Sequence, residues 1–235
     1  MKASEIVADI QRITESVVDS TATVLGIINR GQLEIAGGGD RDHGNAKLAP
    51  LPDLFTSGTV TLTANASNVA MPATYQRGLS RVTVAGEKLK KYDNLQKLLD
   101  AYEGRTGAPE AYHLKGRTLW LLPSPASNTT VTLYFYRYPV DMSIVAYAAG
   151  PPIVQAVDTS PDGIPPELHF KLLVNFGCRE IYSDIEQGLE GNTPDTLKHD
   201  ALYQRALTDL ERMIGFEEGE AVNVGDEYLT DDNIL

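Results

Sequence analysis

An enzyme or metal site needs ionisable or nucleophilic side chains that converge, and this sequence offers few. Its four histidines are His43, His113, His169 and His199. None has a carboxylate or second histidine at the spacing by which a helix presents two ligands to zinc. Cys178 is the single cysteine, which rules out an internal disulfide and a cysteine-only metal site within one chain. It lies between Gly177 and Arg179 with no base beside it to make a thiolate, so a small buried residue is expected there. Gly37-Gly38-Gly39-Asp40 resembles a phosphate loop only in its glycines: a helix precedes it, and no Lys-Ser or Lys-Thr follows. Asp184 and Glu186 occupy different faces of one helix, and Asp231 and Asp232 lie in a polar terminal stretch, a poor platform for catalysis. The expectation is a protein that is not an enzyme and has no cofactor or metal. Aromatic residues are the remaining candidates. Tyr134, Tyr136 and Tyr138 share one strand face, and Tyr112 and Trp120 precede them in a hairpin. Such a group could stack bases or sugars, or form a Tyr-rich core or subunit interface.

The elements that would hold these residues follow from periodicity. Ile6, Ile10, Ile13 and Val17 predict an amphipathic helix over 4–18 capped by Ser4. Asp19, Ser20 and Thr21 mark a break, and a second helix is expected over 21–36 with Leu25, Ile28 and Ile35 as apolar marks, weakened by Gly31. Residues 37–57 read as a long irregular loop. Alternating β-branched residues predict strands over 58–91, followed by a helix over 93–103 capped by Asp93. A hairpin of Ala111–Leu114 and Thr118–Leu122 precedes a strand over Thr130–Tyr138, with Val131, Leu133 and Phe135 on one face. Residues 139–163 form a second long loop. A helix over 166–189 has Leu168, Leu172, Phe176 and Ile181 on its core face, and another over 195–214 has Leu202, Ala206, Leu210 and Met213. The predicted fold class is α+β: a helical bundle from both chain ends (1–38 and 164–215), an inserted β-rich lobe (55–140), and an extended C-terminal arm (216–235).

Charge narrows the partners. The net charge is −12, and residues 166–235 supply most of it, with sixteen acidic residues against five basic. Tight duplex binding needs clustered Lys and Arg to displace counterions, and no stripe of them is evident. No run of about 18 apolar residues predicts a membrane helix, and the acidic, helical start is unlike a signal peptide. The last twenty residues hold seven acidic residues and no basic one. Too few apolar groups lie among them to offset ordering entropy without a partner.

Four stretches carry a resemblance. They are Leu25-Gly-Ile-Ile-Asn29 in the second helix; Met71-Pro-Ala-Thr-Tyr75 leading into Leu79–Leu89; Gly107-Ala-Pro-Glu-Ala-Tyr112 with Leu114–Pro125 and Leu133-Tyr-Phe-Tyr136; and Ile164-Pro165 opening a helix, with Tyr203, Leu207 and Leu210 in the last. In this order they resemble the adaptor, or head completion, proteins of tailed bacteriophages, over about residues 5–215. The resemblance implies a homo-oligomeric ring, dodecameric in that family, in the neck of the virion and assembled in the host cytoplasm. The ring would sit below the portal protein, receive a tail nozzle or tail fibre protein, and let genome DNA pass without tight binding. It further implies that the C-terminal segment docks on the portal, with Phe216, Val222, Val224, Tyr228, Leu229, Ile234 and Leu235 as its anchors. The acids Glu186, Glu190 and Asp195 are the expected lining of the DNA channel. The alternative is a carbohydrate-binding or adhesion module of a surface or tail protein, suggested by the β-rich middle and its aromatics.

Overall fold

The computed structural model describes residues 1–15, 20–38, 49–144, 158–186 and 194–214. The fold is mixed α+β. Helix α1 is Ala3–Ile13 and α2 is Thr21–Gly37. Strands β1 (Phe55–Leu62), β2 (Asn68–Ala70), β3 (Tyr75–Val84), β4 (Glu87–Lys88) and β5 (Lys90–Lys91) follow, then helix α3 (Leu95–Ala101). Strands β6 (Ala111–Lys115), β7 (Thr118–Leu122) and β8 (Thr129–Arg137) complete the middle. Helices α4 (Asn175–Glu186) and α5 (Pro194–Ile214) come last.

Helices from the two chain ends bury their apolar faces together. Ile6 and Ile10 of α1, Val24, Ile28 and Ile35 of α2, Phe176 and Ile181 of α4, and Tyr203, Leu207 and Leu210 of α5 belong to one cluster. Two glycines permit the close approach. A Cβ on Gly31 would lie 2.6 Å from Cδ1 of Phe176, and one on Gly177 would lie 2.5 Å from Cδ1 of Ile10. Gly31 is thus a packing residue, and the helix it was expected to weaken runs through it.

The strands form two four-stranded sheets, ordered β1-β8-β3-β4 and β2-β7-β6-β5. Pairing is antiparallel except between β5 and β6. The alternation in β8 is used as expected: Val131, Leu133 and Phe135 face Leu119, Leu121 and Tyr112 of the other sheet in a second cluster. The far face of that second sheet, with Ala111 and Leu122, is covered by Leu98 of α3.

Several boundaries differ from expectation, each for a local reason. α1 ends at Ile13, and Ser4 does not cap it through its own first turn. Instead the Asp158 carboxylate accepts bonds from Ser4 N (3.1 Å) and Ser4 Oγ (2.5 Å), while Lys2 N donates to Glu5 (2.7 Å). An acid 154 residues away thus brings negative charge to the positive end of the helix dipole. Val17 lies outside the described residues. The cap of α3 is Asn94, whose side chain accepts from Gln96 N at 2.7 Å, not Asp93. The loop expected over 37–57 gives way to β1 at Phe55. The single helix expected from 166 is a 3-10 turn (Pro166–Leu168), a π-helical turn (Phe170–Val174) and then α4. At that junction Asn175 N bonds Leu172 O while its side chain takes Lys171 O (2.8 Å), so the regular ladder is broken there. On α5 the inward face is His199, Tyr203, Ala206, Leu207 and Leu210; Leu202 and Met213 are exposed, because Tyr203 turns inward against Phe176.

The described ends of the loop over 139–163 are fixed by α2. Asn29 bonds both N and O of Met142 (2.8 and 3.0 Å). Gln32 donates to Val140 O and accepts from Asp162 N, both at 2.8 Å.

Candidate interaction surfaces

The residues that could do chemistry are occupied in packing. His169 accepts at Nδ1 from the amine of Met1 (3.2 Å) and donates from Nε2 to Ile164 O (2.8 Å); burial lowers its pKa. His199 stacks on Tyr182 and donates from Nδ1 to Asn175 (2.9 Å); burial lowers its pKa also. His113 donates to Tyr92 O at 2.8 Å, and His43 lies outside the described residues. Cys178 is fully buried, and burial pushes its thiol up to about 12. No group of three or more His, Cys, Asp or Glu side chains that could hold a metal occurs among the described residues. Asp231 and Asp232 lie outside them.

A charged knot joins three helices. The Arg179 guanidinium lies 4.7 Å from the centre of the Phe176 ring and 4.9 Å from that of Tyr203. It pairs with Glu180 (3.0 Å) and Asp200 (3.2 Å), with Glu34 at 4.0 Å. Burial opposes its charge, but the bonds to Asp200 and Glu180 outweigh this and raise its pKa. Tyr203 donates to Glu34 (3.0 Å), and Arg30 pairs with Glu180. The arrangement fixes α2, α4 and α5 relative to one another, because a buried charge tolerates little loss of its partners.

Of the three acids expected in a channel wall, Glu186 and Asp195 lie among the described residues. The Glu186 carboxylate accepts from Asp195 N and Thr196 N (both 3.2 Å) and Thr196 Oγ1 (2.6 Å), capping α5. These bonds, chiefly those from Thr196, hold its pKa low. Asp195 stands half-exposed in the first turn of α5. Glu190 and all seven expected arm anchors, Phe216 to Leu235, lie outside the described residues.

The aromatic group divides. Tyr134 and Tyr136 share the outer face of the first sheet, with Arg81 5.8 Å above the Tyr134 ring and Phe55 5.2 Å from Tyr136. Tyr138 follows beyond the strand end, 40% exposed. Tyr112, however, lies between the two sheets, and Trp120 packs beside α3. They were expected beside the tyrosines, but the hairpin belongs to the other sheet, so no single five-membered platform forms. A cavity of about 530 Å³ opens beside α3, lined in part by Asn65, Gln96, Asp100, Glu103 and Arg105. Its Gln96 and Asp100 are bonded to each other at 2.8 Å.

Charge is sorted by the fold. Residues 55–140 contain ten basic and five acidic residues. The β-rich part is therefore positive within a chain of net charge −12, and the negative charge falls on the helices, the loops and the last twenty residues. Among the described residues, no helix is long and apolar enough to cross a membrane.

A family model described as SU10 adaptor protein matches residues 1–222. No curated protein matches the chain.

Proposed function

We propose, from the premise that this chain belongs to the SU10 adaptor protein family, that it forms a homo-oligomeric ring, dodecameric as the resemblance implies, between the portal and the tail of a phage particle. The family's role is that of a structural phage adaptor. The observation that carries the reading is the extent of the match, which takes in both the helical cluster and the two sheets. The helices of both ends and the β-rich part act as two domains, 1–38 with 164–215 and 55–140. Assembly takes place in the host cytoplasm, and the ring becomes part of the virion neck.

In this reading the acidic helices face the DNA path and the positive β-rich part faces protein. An acidic wall repels phosphate over about 10 Å at 0.1 M salt, so DNA slides without being gripped. Asp195 and Glu190 supply carboxylates to that wall; the charge of Glu186 is local to the cap of α5. Residues 216–235 form the portal-docking arm, in which Phe216, Val222, Val224, Tyr228, Leu229, Ile234 and Leu235 enter apolar pockets and the carboxylates steer approach. A tail nozzle or fibre protein takes the opposite side.

The test is co-sedimentation of the chain with portal rings, followed by electron microscopy of the product. A second, coaxial ring is expected, and its loss on deletion of 216–235. A chain that stays monomeric with portal rings present refutes the ring. Unchanged binding of the truncated chain removes the arm. Tight duplex binding at physiological salt refutes the repelling wall.

A further inference from the structure

Four strands lie at sheet edges, and three of them are guarded. β2 has three residues, β4 and β5 have two each, and the last two carry Lys88, Lys90 and Lys91. Short length and lysine are devices by which native sheets avoid pairing with other chains. β1 has neither. It runs eight residues, Phe-Thr-Ser-Gly-Thr-Val-Thr-Leu, without charge or proline, and its register with β8 is continuous from Phe55 to Leu62. Among the described residues, no strand pairs with its other side, and its backbone bonds outside the β8 pairing are local: Phe55 N donates to Pro52 O, and Ser57 O accepts from Thr56 Oγ1 (3.5 Å). About half of its N–H and C=O groups therefore face outward, as in any strand paired on one side. Phe55, Ser57, Thr59 and Thr61 are exposed along it.

The sequence supplies an occupant. Three stretches longer than a dozen residues contain no charged side chain: 54–76, 118–136 and 142–157. The first two provide β1, β2, β7 and all of β8 but its last residue, Arg137. The third includes Val145-Ala-Tyr-Ala-Ala-Gly-Pro-Pro-Ile-Val-Gln-Ala-Val157, which lies outside the described residues. Its two ends are held side by side: Ile144 bridges Asp158 antiparallel, Thr159 N donates to Ser143 O (3.2 Å), and Ser143 N donates to Thr159 Oγ1 (2.8 Å). Gly150-Pro151-Pro152 interrupts the middle and leaves about five residues on either side. At about 3.3 Å per residue, five residues cover roughly 17 Å, the length of a typical strand.

We propose that the outward edge of β1, at residues 55–60, is completed by a strand from residues 145–157 of a neighbouring copy of this chain. The inference rests on the ring reading above and names its contact. The two surfaces differ, so the contact is head-to-tail and can repeat until a ring closes. Backbone bonds supply the pairing, and uncharged side chains on both partners make the approach free of repulsion.

Cys178 is buried, so introduced cysteines are the reactive ones. Chains carrying Thr59→Cys are mixed with chains carrying Ile153→Cys, Val154→Cys or Gln155→Cys in turn, assembled on portal rings and oxidised. The expected product is a disulfide-linked dimer with one chain of each kind, from at least one of the three mixtures. The Thr59→Cys/Val154→Cys double variant should likewise link chain to chain; if it closes only within one chain, the segment occupies its own edge and the proposal fails. Thr59→Cys chains linking only to each other also overturn it, since edge then meets edge. Absence of any cross-link in protein that light scattering shows to be oligomeric overturns the pairing and leaves the ring standing. A chain that stays monomeric overturns both.

Discussion

Replacing Gly31 by alanine sets two effects of opposite sign against each other. Within a helix, Gly→Ala gains up to about 1 kcal/mol from backbone entropy. At Gly31 the new methyl would stand 2.6, 2.9 and 2.9 Å from Cδ1, Cε1 and Cγ of Phe176. That ring is fully buried, packs edge-on against Tyr203 at 5.5 Å, and lies beneath Arg179. It has no free end to swing away, so the strain falls in the upper part of the roughly 1–3 kcal/mol typical of overpacking. The net expectation is a destabilisation of about 1–2 kcal/mol. For a chain of this size that lowers Tm by roughly 2–8 °C. Gly26 is the control: it lies in the same helix, and a Cβ there meets nothing within 4 Å. Gly26→Ala should therefore raise Tm. Calorimetry on both variants decides the matter, and a double-mutant cycle with Phe176→Leu should show Gly31→Ala becoming neutral or favourable, with a coupling of about 1 kcal/mol or more. A Gly31→Ala protein more stable than the parent would refute the packing account and leave helix propensity in control.

Asp162 pairs with Arg137 (2.6 and 3.1 Å) and accepts from Val140 N (2.7 Å); burial opposes its charge, but these bonds outweigh it and lower its pKa. Its folded pKa lies below the unfolded one, so its contribution is whole above about pH 4 and is lost as pH falls further. Asp162→Asn should cost about 1–2 kcal/mol at pH 7, allowing for solvent screening, with the difference from the parent shrinking in urea titrations below pH 4. His199, lowered chiefly by burial, has the same sign: its contribution is whole above about pH 6.5 and is lost as pH falls below that. His199→Gln should flatten the decline of Tm between about pH 6.5 and 5, and an unchanged slope would assign that decline to other groups. The buried thiol of Cys178 should react with a disulfide reagent only on unfolding, and rapid labelling of native protein at pH 8 would show that α4 opens locally.

The fold class and most elements were legible because they rest on local periodicity. The alternation of Val131, Leu133 and Phe135, the hairpin of β6 and β7, and the glycine stop of α2 need only neighbouring residues to specify them. What was not legible depends on distant partners. Asp158 caps a helix that begins 155 residues earlier, Phe176 decides that Gly31 is an asset, and Tyr203 sets the rotation of α5 at the expense of Leu202 and Met213. Glu186 looked like a free surface acid because nothing within its own helix uses it; its partners, Asp195 and Thr196, start the next one. Tyr112 and Trp120 were grouped with Tyr134 by proximity in sequence, but successive strands entered different sheets. The positive charge of residues 55–140 is not legible in the sequence for a related reason: charge is summed over a surface, and the boundaries of that surface belong to the fold. An adaptor makes this loss of legibility general. A catalytic site announces itself by residue types that few other roles require, whereas a docking surface uses the same threonines, tyrosines and lysines as any exterior. The signal proposed here is a missing protection, the uncharged outer edge of β1, and that can be read only after the strands have been placed.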